Sequence, residues 1–282
     1  MYQNKTTRKI VSSGEQRRYL LYVPSTYNPE EPTPLVITLH GFADWPAHIM
    51  KMSHWNDLAE EDGFIVVYPA GMGLPRHWMA YEKTGVVGGT LKDVTFISDL
   101  IDTLQSEFAI DPDRIYANGL SNGGGMSFTL ACKLSDRIAA IGGVAGAYVL
   151  PSIECNPGRP VPVIAFHGDA DTIVPYTGGS STRFYTGFPA IPDWAAICAR
   201  RNGCNETPLY LPMNGSVSGI CYSSCNQDAE VVLYTIHGGG HTWPGGKPMP
   251  KWIVGHTTRD IDATRVMWEF FNKHLMKNRN NQ

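Results

Sequence analysis

A glycine-flanked serine between two periodic segments constrains this chain most. Ser121 lies in Gly119-Leu-Ser-Asn-Gly123, after an apolar run at residues 114–118 and before a run of helical character at residues 126–134. A strand, a tight turn carrying serine and a helix together predict a nucleophile elbow, in which side chains at the glycine positions would collide with the flanking elements. The serine hydroxyl is then held clear of the sheet, beside a backbone amide and a helix N-terminus.

The five-residue pattern is weak evidence by itself, because glycine-rich chains match it by chance. A glycine-rich turn with a solvent-exposed serine is the alternative interpretation. The elbow interpretation therefore depends on the elements around the serine and on residues later in the chain.

Short apolar runs alternate with helical periodicity along the chain. The runs predict strands at residues 17–23, 35–39, 64–68, 114–118, 138–145, 161–166 and 230–236 and helices at residues 55–61, 93–108, 126–134, 194–201 and 261–275. Such alternation predicts an α/β fold, a mostly parallel central sheet with helices on both faces. We expect one domain over residues 1–282, with a loop-rich, cysteine-containing excursion at about residues 172–226. Asp93 and Asp193 are predicted helix caps, and Asp93 is assigned a structural role.

The charge pattern excludes some partners. The formal net charge is −3 and no basic cluster occurs, which argues against nucleic acid and against an anionic membrane surface. No apolar run approaches the length that spans a membrane.

Six cysteines indicate disulfides and an oxidising compartment, because their number is even and four of them fall within residues 198–225. A zinc site is the alternative, but Cys221-x3-Cys225 lacks a second matched pair of ligands. The N-terminus is polar and has no apolar signal segment. We therefore expect either a secreted mature form whose signal peptide is absent from this sequence, or partly free thiols.

A serine nucleophile needs a base, and the base needs an orienting acid. On this scaffold the order along the chain should be serine, acid, histidine. Asp171 follows the strand that ends at residue 166, and His241 follows the strand that ends at residue 236, so both are in the expected place. Asp169 and His237 remain alternatives for the acid and the base.

The tetrahedral intermediate needs two N–H donors. One should be the amide of Asn122, directly after the serine, and the other the amide of Phe42, in the loop after the strand that ends at residue 39. His40 and His167 each end a strand before a glycine. We expect their imidazoles to hydrogen-bond loop backbone near the site.

Four aromatic residues are candidates for a substrate-binding wall: Trp78, Phe188, Trp194 and Trp243. Such a wall would stack on an aromatic acyl group or pack on a polyester chain. Packing that supports the loops is the alternative for each of them.

Four segments resemble those of the polyhydroxybutyrate depolymerase and feruloyl esterase group of α/β-hydrolases, carbohydrate esterase family one: Leu39-His-Gly-Phe42, Gly119-Leu-Ser-Asn-Gly-Gly124, Phe166-His-Gly-Asp-Ala-Asp-Thr-Ile-Val-Pro175 and Gly238-Gly-Gly-His-Thr-Trp-Pro-Gly-Gly246. The resemblance runs from about residue 17 to residue 275. It implies Ser121 as nucleophile, Asp171 as acid and His241 as base. One departure is that the loop after Gly41 lacks the further glycines or the cysteine seen in many members, which bears on the shape of the acyl pocket.

The resemblance also implies a disulfide between Cys204 and Cys225. For the remaining four cysteines we predict the pairs Cys132–Cys155 and Cys198–Cys221.

The functional hypothesis is a serine carboxylic ester hydrolase that works through an acyl-enzyme, with no metal or organic cofactor. The favoured substrate is a feruloyl or other hydroxycinnamoyl ester on plant cell-wall polysaccharide or oligosaccharide, with small aromatic esters as simpler substrates. A polyhydroxybutyrate or related polyester depolymerase is the alternative within the same chemistry. A non-catalytic binding module on a hydrolase scaffold and a peptidase are alternatives of other classes.

Overall fold

A large mixed sheet organises the chain. The computed structural model describes residues 4–80, 89–181 and 187–276. The strands are β1 (Lys5–Ser12), β2 (Glu15–Tyr22), β3 (Thr33–Leu39), β4 (Ile65–Pro69), β5 (Ile110–Leu120), β6 (Ala140–Val144), β7 (Val163–Gly168), β8 (Gly179–Ser180), β9 (Gly187–Phe188), β10 (Leu209–Asn214), β11 (Val217–Tyr222) and β12 (Val231–Ile236).

The sheet has the strand order β1-β2-β4-β3-β5-β6-β7-β12-β11-β10. Its six central strands, from β4 to β12, pair in parallel. Antiparallel strands flank them on both sides. The prediction of a mostly parallel α/β sheet is therefore confirmed, and antiparallel strands at both edges extend it.

The helices are α1 (Pro46–Ser53), α2 (Trp55–Asp62), α3 (Gly89–Glu107), α4 (Asn122–Lys133), α5 (Ile191–Arg201), α6 (Lys251–Val254) and α7 (Ala263–Lys273). Apolar residues of α3, α4 and α5 pack on one face of the sheet, and those of α1, α2 and α7 pack on the other face. All seven residues of β3 are buried, which explains its nearly continuous apolar sequence. Within the described ranges, no helix has the length and apolar character needed to cross a membrane.

Two predicted helix caps were wrong. Helix α3 begins at Gly89, so Asp93 lies inside the helix. Its carboxylate instead binds the buried Arg17 guanidinium at 2.7 Å and accepts a hydrogen bond from the Met79 amide at 2.9 Å. Asp93 is thus structural, as predicted. Its contacts link β2 to the loop that follows β4 and do not cap the helix.

In α5 the N-cap is Ala190, and Asp193 lies within the first helical turn. There its carboxylate can still interact favourably with the helix dipole.

The predicted excursion at residues 172–226 is only partly an excursion. After α5 the chain returns to the sheet as β10 and β11, which pair antiparallel with each other and with β12. Burial alternates over the first four residues of β11, because successive side chains of a strand point to opposite faces of the sheet. Residues 182–186 of the excursion lie outside the described residues.

Two of the three predicted disulfides are present: Cys132–Cys155 and Cys204–Cys225. The third prediction was wrong, because Cys198 and Cys221 are free and buried. They belong to apolar clusters on opposite faces of the sheet. The Cys221 thiol lies 3.4 Å from the Glu230 carboxylate, so it does not face α5, which carries Cys198.

We predict that iodoacetamide at pH 8 labels neither free thiol in the folded protein. Burial raises the pKa of Cys198 to about 12, and burial together with the Glu230 carboxylate raises the pKa of Cys221 to about 12. Both thiols therefore stay protonated and unreactive. Intact-mass measurement after denaturation without reductant should show two labels, for the two free cysteines.

A reduced and denatured sample is the control and should show six labels, one for each cysteine in the chain. A denatured, unreduced sample without any label would contradict the two free thiols.

Candidate active site

Ser121 has a backbone conformation that only a tight turn imposes. It follows β5 and precedes α4, with φ 57° and ψ −119°, which a residue with a side chain rarely adopts. Its amide donates to the Val144 carbonyl at 2.9 Å, and its carbonyl accepts from the amides of Gly125 and Ala147 at 3.0 and 2.9 Å. The surrounding backbone thus holds the serine in this conformation, as the elbow prediction requires.

The flanking glycines are required by close approach of the backbone. A Cβ atom at Gly123 would lie closer than 3.0 Å to the carbonyl groups of Leu39 and His40, and one at Gly119 would meet Gly123 and Leu39 at similar separations. Real Cβ atoms do not occur at such separations. The predicted collision of side chains at these positions with the neighbouring strand and helix is confirmed.

A buried acid and a buried histidine lie beside each other at the carboxyl edge of the sheet. Oδ2 of Asp171 lies 2.7 Å from Nδ1 of His241, and Oδ1 accepts from the amides of Ile173 and Val174 at 2.8 and 2.9 Å. The amide of His241 donates to the Val254 carbonyl at 2.6 Å, which fixes the loop that carries the imidazole. The Asp171 carboxylate therefore orients this ring through Nδ1 and leaves Nε2 available.

The electrostatics keep Asp171 ionised. Burial alone would raise its pKa, but the His241 and His167 imidazoles outweigh burial and hold the pKa below its usual value. Nε2–H of His167 donates to the Val174 carbonyl at 2.8 Å and lies 3.4 Å from Oδ2 of Asp171. The prediction that His167 binds loop backbone near the site is confirmed.

The side chains of Ser121 and His241 line the same cavity, whose volume is about 490 Å³. No hydrogen bond joins the Ser121 hydroxyl to the His241 ring among the described residues, so their convergence rests on this shared cavity. Its apolar lining includes Phe42, Trp45, Met52, Leu120, Ile173 and Val254. A volume of this size suits a small ligand, and such sites are mostly apolar with a few polar groups.

The loop that follows β3 contributes the other side of the cavity. Nδ1–H of His40 donates to the Gly41 carbonyl at 2.7 Å, and Nε2 accepts from the Gly71 amide at 3.0 Å. Burial lowers the pKa of His40, although the hydrogen bond to Gly41 opposes this shift. The neutral ring thus holds the backbone just before Phe42, in the structural role predicted for it.

Asn122 opens α4, where the first backbone amides have no acceptor inside the helix. Its side chain accepts from the Trp78 amide at 2.6 Å and donates to the Trp78 carbonyl at 3.0 Å. The side chain of Asn122 therefore anchors the neighbouring loop, while its amide lies directly after the serine.

The alternative acid and base pair with each other. Nδ1 of His237 lies 2.9 Å from Oδ2 of Asp169, and the Gly238 amide donates to Oδ1 of Asp169 at 2.7 Å. Ser218 Oγ lies 2.8 Å from Nε2 of His237. Asp169 and His237 are exposed, and neither lines the cavity that holds Ser121.

The four aromatic residues expected to bind substrate lie behind the site. Trp78, Phe188, Trp194 and Trp243 are all buried, and none of them lines the cavity. Nε1–H of Trp243 donates to Thr264 at 2.9 Å, and Trp194 stacks on Tyr148 with ring centroids 3.4 Å apart. These contacts favour the alternative interpretation, in which the rings support the loops by packing.

The exposed aromatic side chains at the cavity are instead Phe42 and Trp45, which are 43% and 54% exposed. From the sequence, only the backbone amide of Phe42 was assigned a role. Asp44, Trp45 and His48 were not identified as site residues. The available signal was that Asp44 and Trp45 lie in the loop expected to reach the serine, and that His48 follows in the first turn of α1.

Comparison with known proteins agrees with this geometry. Residues 17–221 match the family model described as Esterase PHB depolymerase. Feruloyl esterase B of Piromyces equi is 31% identical over 244 residues, which cover 82% of this chain and 44% of that protein. Feruloyl esterase D of Neurospora crassa is 28% identical over 279 residues, which cover 93% of this chain and 83% of that protein.

Two solved structures share the fold. An acetyl xylan esterase from Aspergillus awamori has a TM-score of 0.68 at 16% identity, covering 95% of this chain and 99% of that chain. A CE1 ferulic acid esterase from Anaeromyces mucronatus has a TM-score of 0.58 at 16% identity, covering 95% and 88%. The chain has the α/β-hydrolase fold, belongs to the Esterase PHB depolymerase family and is a carboxylic ester hydrolase.

Proposed function

We propose that this chain is a serine esterase that removes feruloyl or other hydroxycinnamoyl groups from plant cell-wall polysaccharide, with Ser121 as nucleophile, His241 as base and Asp171 as orienting acid. The observation that carries the proposal is the buried Asp171–His241 pair, 2.7 Å apart, in which His241 lines the same cavity as the elbow serine. This arrangement matches the roles needed for acyl transfer.

The reaction proceeds in two steps. Nε2 of His241 takes the proton from Ser121 as Oγ attacks the ester carbonyl carbon, and the protonated ring then gives that proton to the leaving alcohol. Water next attacks the acyl-enzyme carbonyl and gives a proton to His241, which returns it to Oγ as the carboxylic acid leaves. Asp171 holds the productive tautomer and stabilises the imidazolium in both steps.

The amides of Phe42 and Asn122 are proposed to bind the oxyanion of both tetrahedral intermediates. The Phe42 residue lines the cavity, and the Asn122 amide lies at the N-terminus of α4. Each such donor contributes about 3 kcal/mol to transition-state stabilisation in serine hydrolases. The His40 ring supports this arrangement by holding the Gly41 carbonyl in place.

The cavity supports an aromatic acyl group. Its wall combines aliphatic side chains with the partly exposed rings of Phe42 and Trp45, and apolar rings pack well on such surfaces. Two curated relatives are named feruloyl esterases. We propose feruloylated polysaccharide or oligosaccharide as the substrate, and secretion as the route to it, since two disulfides suit an oxidising compartment.

A polyester depolymerase is the second candidate. The description of the matching family model favours it, and Trp252, 85% exposed, lies next to the cavity-lining Ile253. An exposed ring in the helix that also contributes to the cavity is available to pack on a polyester chain. Rates on methyl ferulate and on polyhydroxybutyrate film, measured side by side, separate the two candidates.

We predict that Ser121→Ala abolishes turnover of methyl ferulate and of a short-chain p-nitrophenyl ester, because no nucleophile remains. The fall in kcat should be on the order of 10⁶-fold, as in other serine hydrolases. Ser218→Ala is the matched control, since Ser218 also faces a histidine, and it should keep kcat. Steady-state kinetics and thermal melting of both variants check this, and activity retained by a folded Ser121→Ala variant would reject the mechanism.

We predict that the two neighbouring aspartates differ in effect. Asp171→Asn should lower kcat by roughly 10⁴-fold, because the amide favours the wrong tautomer of the base. Asp169→Asn removes an exposed partner of His237 and should keep kcat within about tenfold, since this pair does not line the cavity.

Kinetics on the p-nitrophenyl ester compare the two variants, and thermal melting confirms that both fold. A larger loss of kcat in Asp169→Asn than in Asp171→Asn would show that Asp169 is the acid.

A further inference from the structure

One polar pair in the cavity has no role in the proposed chemistry. Oδ1 of Asp44 lies 2.8 Å from Nδ1 of His48 and also accepts from the Trp45 amide at 2.8 Å. Both Asp44 and His48 line the cavity that holds Ser121 and His241. The carboxylate is largely buried, with 13% of its side chain exposed, and it fixes the orientation of the imidazole.

The other nitrogen of His48 makes no hydrogen bond to the described part of the chain. Its side chain is 37% exposed, and Nε2 has no hydrogen-bond partner among the described residues. Since Nδ1–H donates to Asp44, Nε2 accepts a hydrogen bond when the ring is neutral and donates one when the ring is protonated. A hydroxyl group complements both forms, because it can donate and accept.

The neighbouring carboxylate favours the protonated form of His48, which makes the stronger of the two hydrogen bonds. The hydrogen bond to Asp44 raises the pKa of His48, against burial and against the positive charges of Lys51 and Lys247. A larger protonated fraction near neutral pH makes Nε2–H available as a charge-assisted donor.

The rest of the lining offers little else to a polar substituent. Among the described residues that line the cavity, the other hydrogen-bonding side chain apart from Ser121, His241 and this pair is Trp45, whose indole N–H can donate but not accept. The Trp45 ring lies beside the imidazole, with centroids 6.1 Å apart. For an acyl group whose ring packs on this wall, His48 is therefore the partner that can either accept from or donate to a ring hydroxyl.

We propose that Asp44 and His48 form a subsite for the phenolic hydroxyl of the acyl group, so that His48 makes the enzyme prefer 4-hydroxycinnamoyl esters to cinnamoyl esters. The inference rests on the proposed function, since it concerns the acyl side of the same cavity. Asp44 acts as the positioning residue for the ring, and His48 contacts the substrate.

The test compares kcat/KM for methyl 4-hydroxycinnamate with kcat/KM for methyl cinnamate. The two esters have the same alcohol, so any effect on the leaving group cancels in the ratio. We expect the wild type to prefer the hydroxylated ester, and His48→Ala to lower this preference roughly tenfold to a hundredfold, the effect of losing one hydrogen bond to a charged group. His48→Gln, which keeps a hydrogen-bonding group, should recover part of it.

His54→Ala is the matched control. His54 also pairs with an aspartate, at 3.1 Å, and it is exposed and does not line the cavity. This variant should keep the wild-type ratio. The same ratio in His48→Ala and the wild type, or a wild type without any preference, would overturn the subsite.

Failure of the proposed function has a different signature. If the wild type hydrolyses a short-chain p-nitrophenyl ester through Ser121 but neither cinnamoyl ester, the acyl class is wrong and the subsite falls with it. If Ser121→Ala retains the wild-type rates, the assignment of the nucleophile is wrong. The subsite would still stand in that case if His48→Ala lowers the preference for the hydroxylated ester.

Discussion

The conformation of Ser121 is the constraint on which the rest of the site depends. A residue with a side chain pays about 1–3 kcal/mol to occupy such a region of φ and ψ, so the surrounding packing must impose it. Here α4 approaches the end of β3 so closely that only glycine fits at position 123, and the Ser121 amide and carbonyl are both hydrogen-bonded. The strain is thus offset by the parallel sheet and its covering helix, which together place Ser121 on the lining of the cavity.

The proposed acid and base come together through the same sheet. β7 and β12 are adjacent and parallel, so their carboxyl ends lie side by side although Asp171 and His241 are 70 residues apart. Backbone hydrogen bonds join the two following loops: the Asp169 amide donates to Ile236 and the Ala170 amide to Gly239, each at 3.0 Å. Sheet register therefore fixes the distance between the two proposed catalytic side chains before either contacts substrate.

The sequence predicted what local patterns encode. Apolar runs gave the central strands, and the elbow glycines, together with the order of serine, acid and histidine, gave the proposed triad. What it missed depends on side-chain direction and on tertiary neighbours. Trp243 lies two residues from His241, yet it points into the core, and Cys198 and Cys221 lie on opposite faces of the sheet. Helix α1, which carries His48, has only eight residues and showed no clear periodicity.

Covalent labelling of the folded protein identifies the nucleophile itself. The folded protein is treated with a fluorophosphonate, digested and analysed by mass spectrometry, with His241→Ala as the comparison. We expect a single adduct, on Ser121, that forms far more slowly in His241→Ala, since the serine then lacks its base. An adduct on another serine, or ester turnover that continues in protein whose Ser121 is fully labelled, would contradict the assignment of Ser121 as nucleophile.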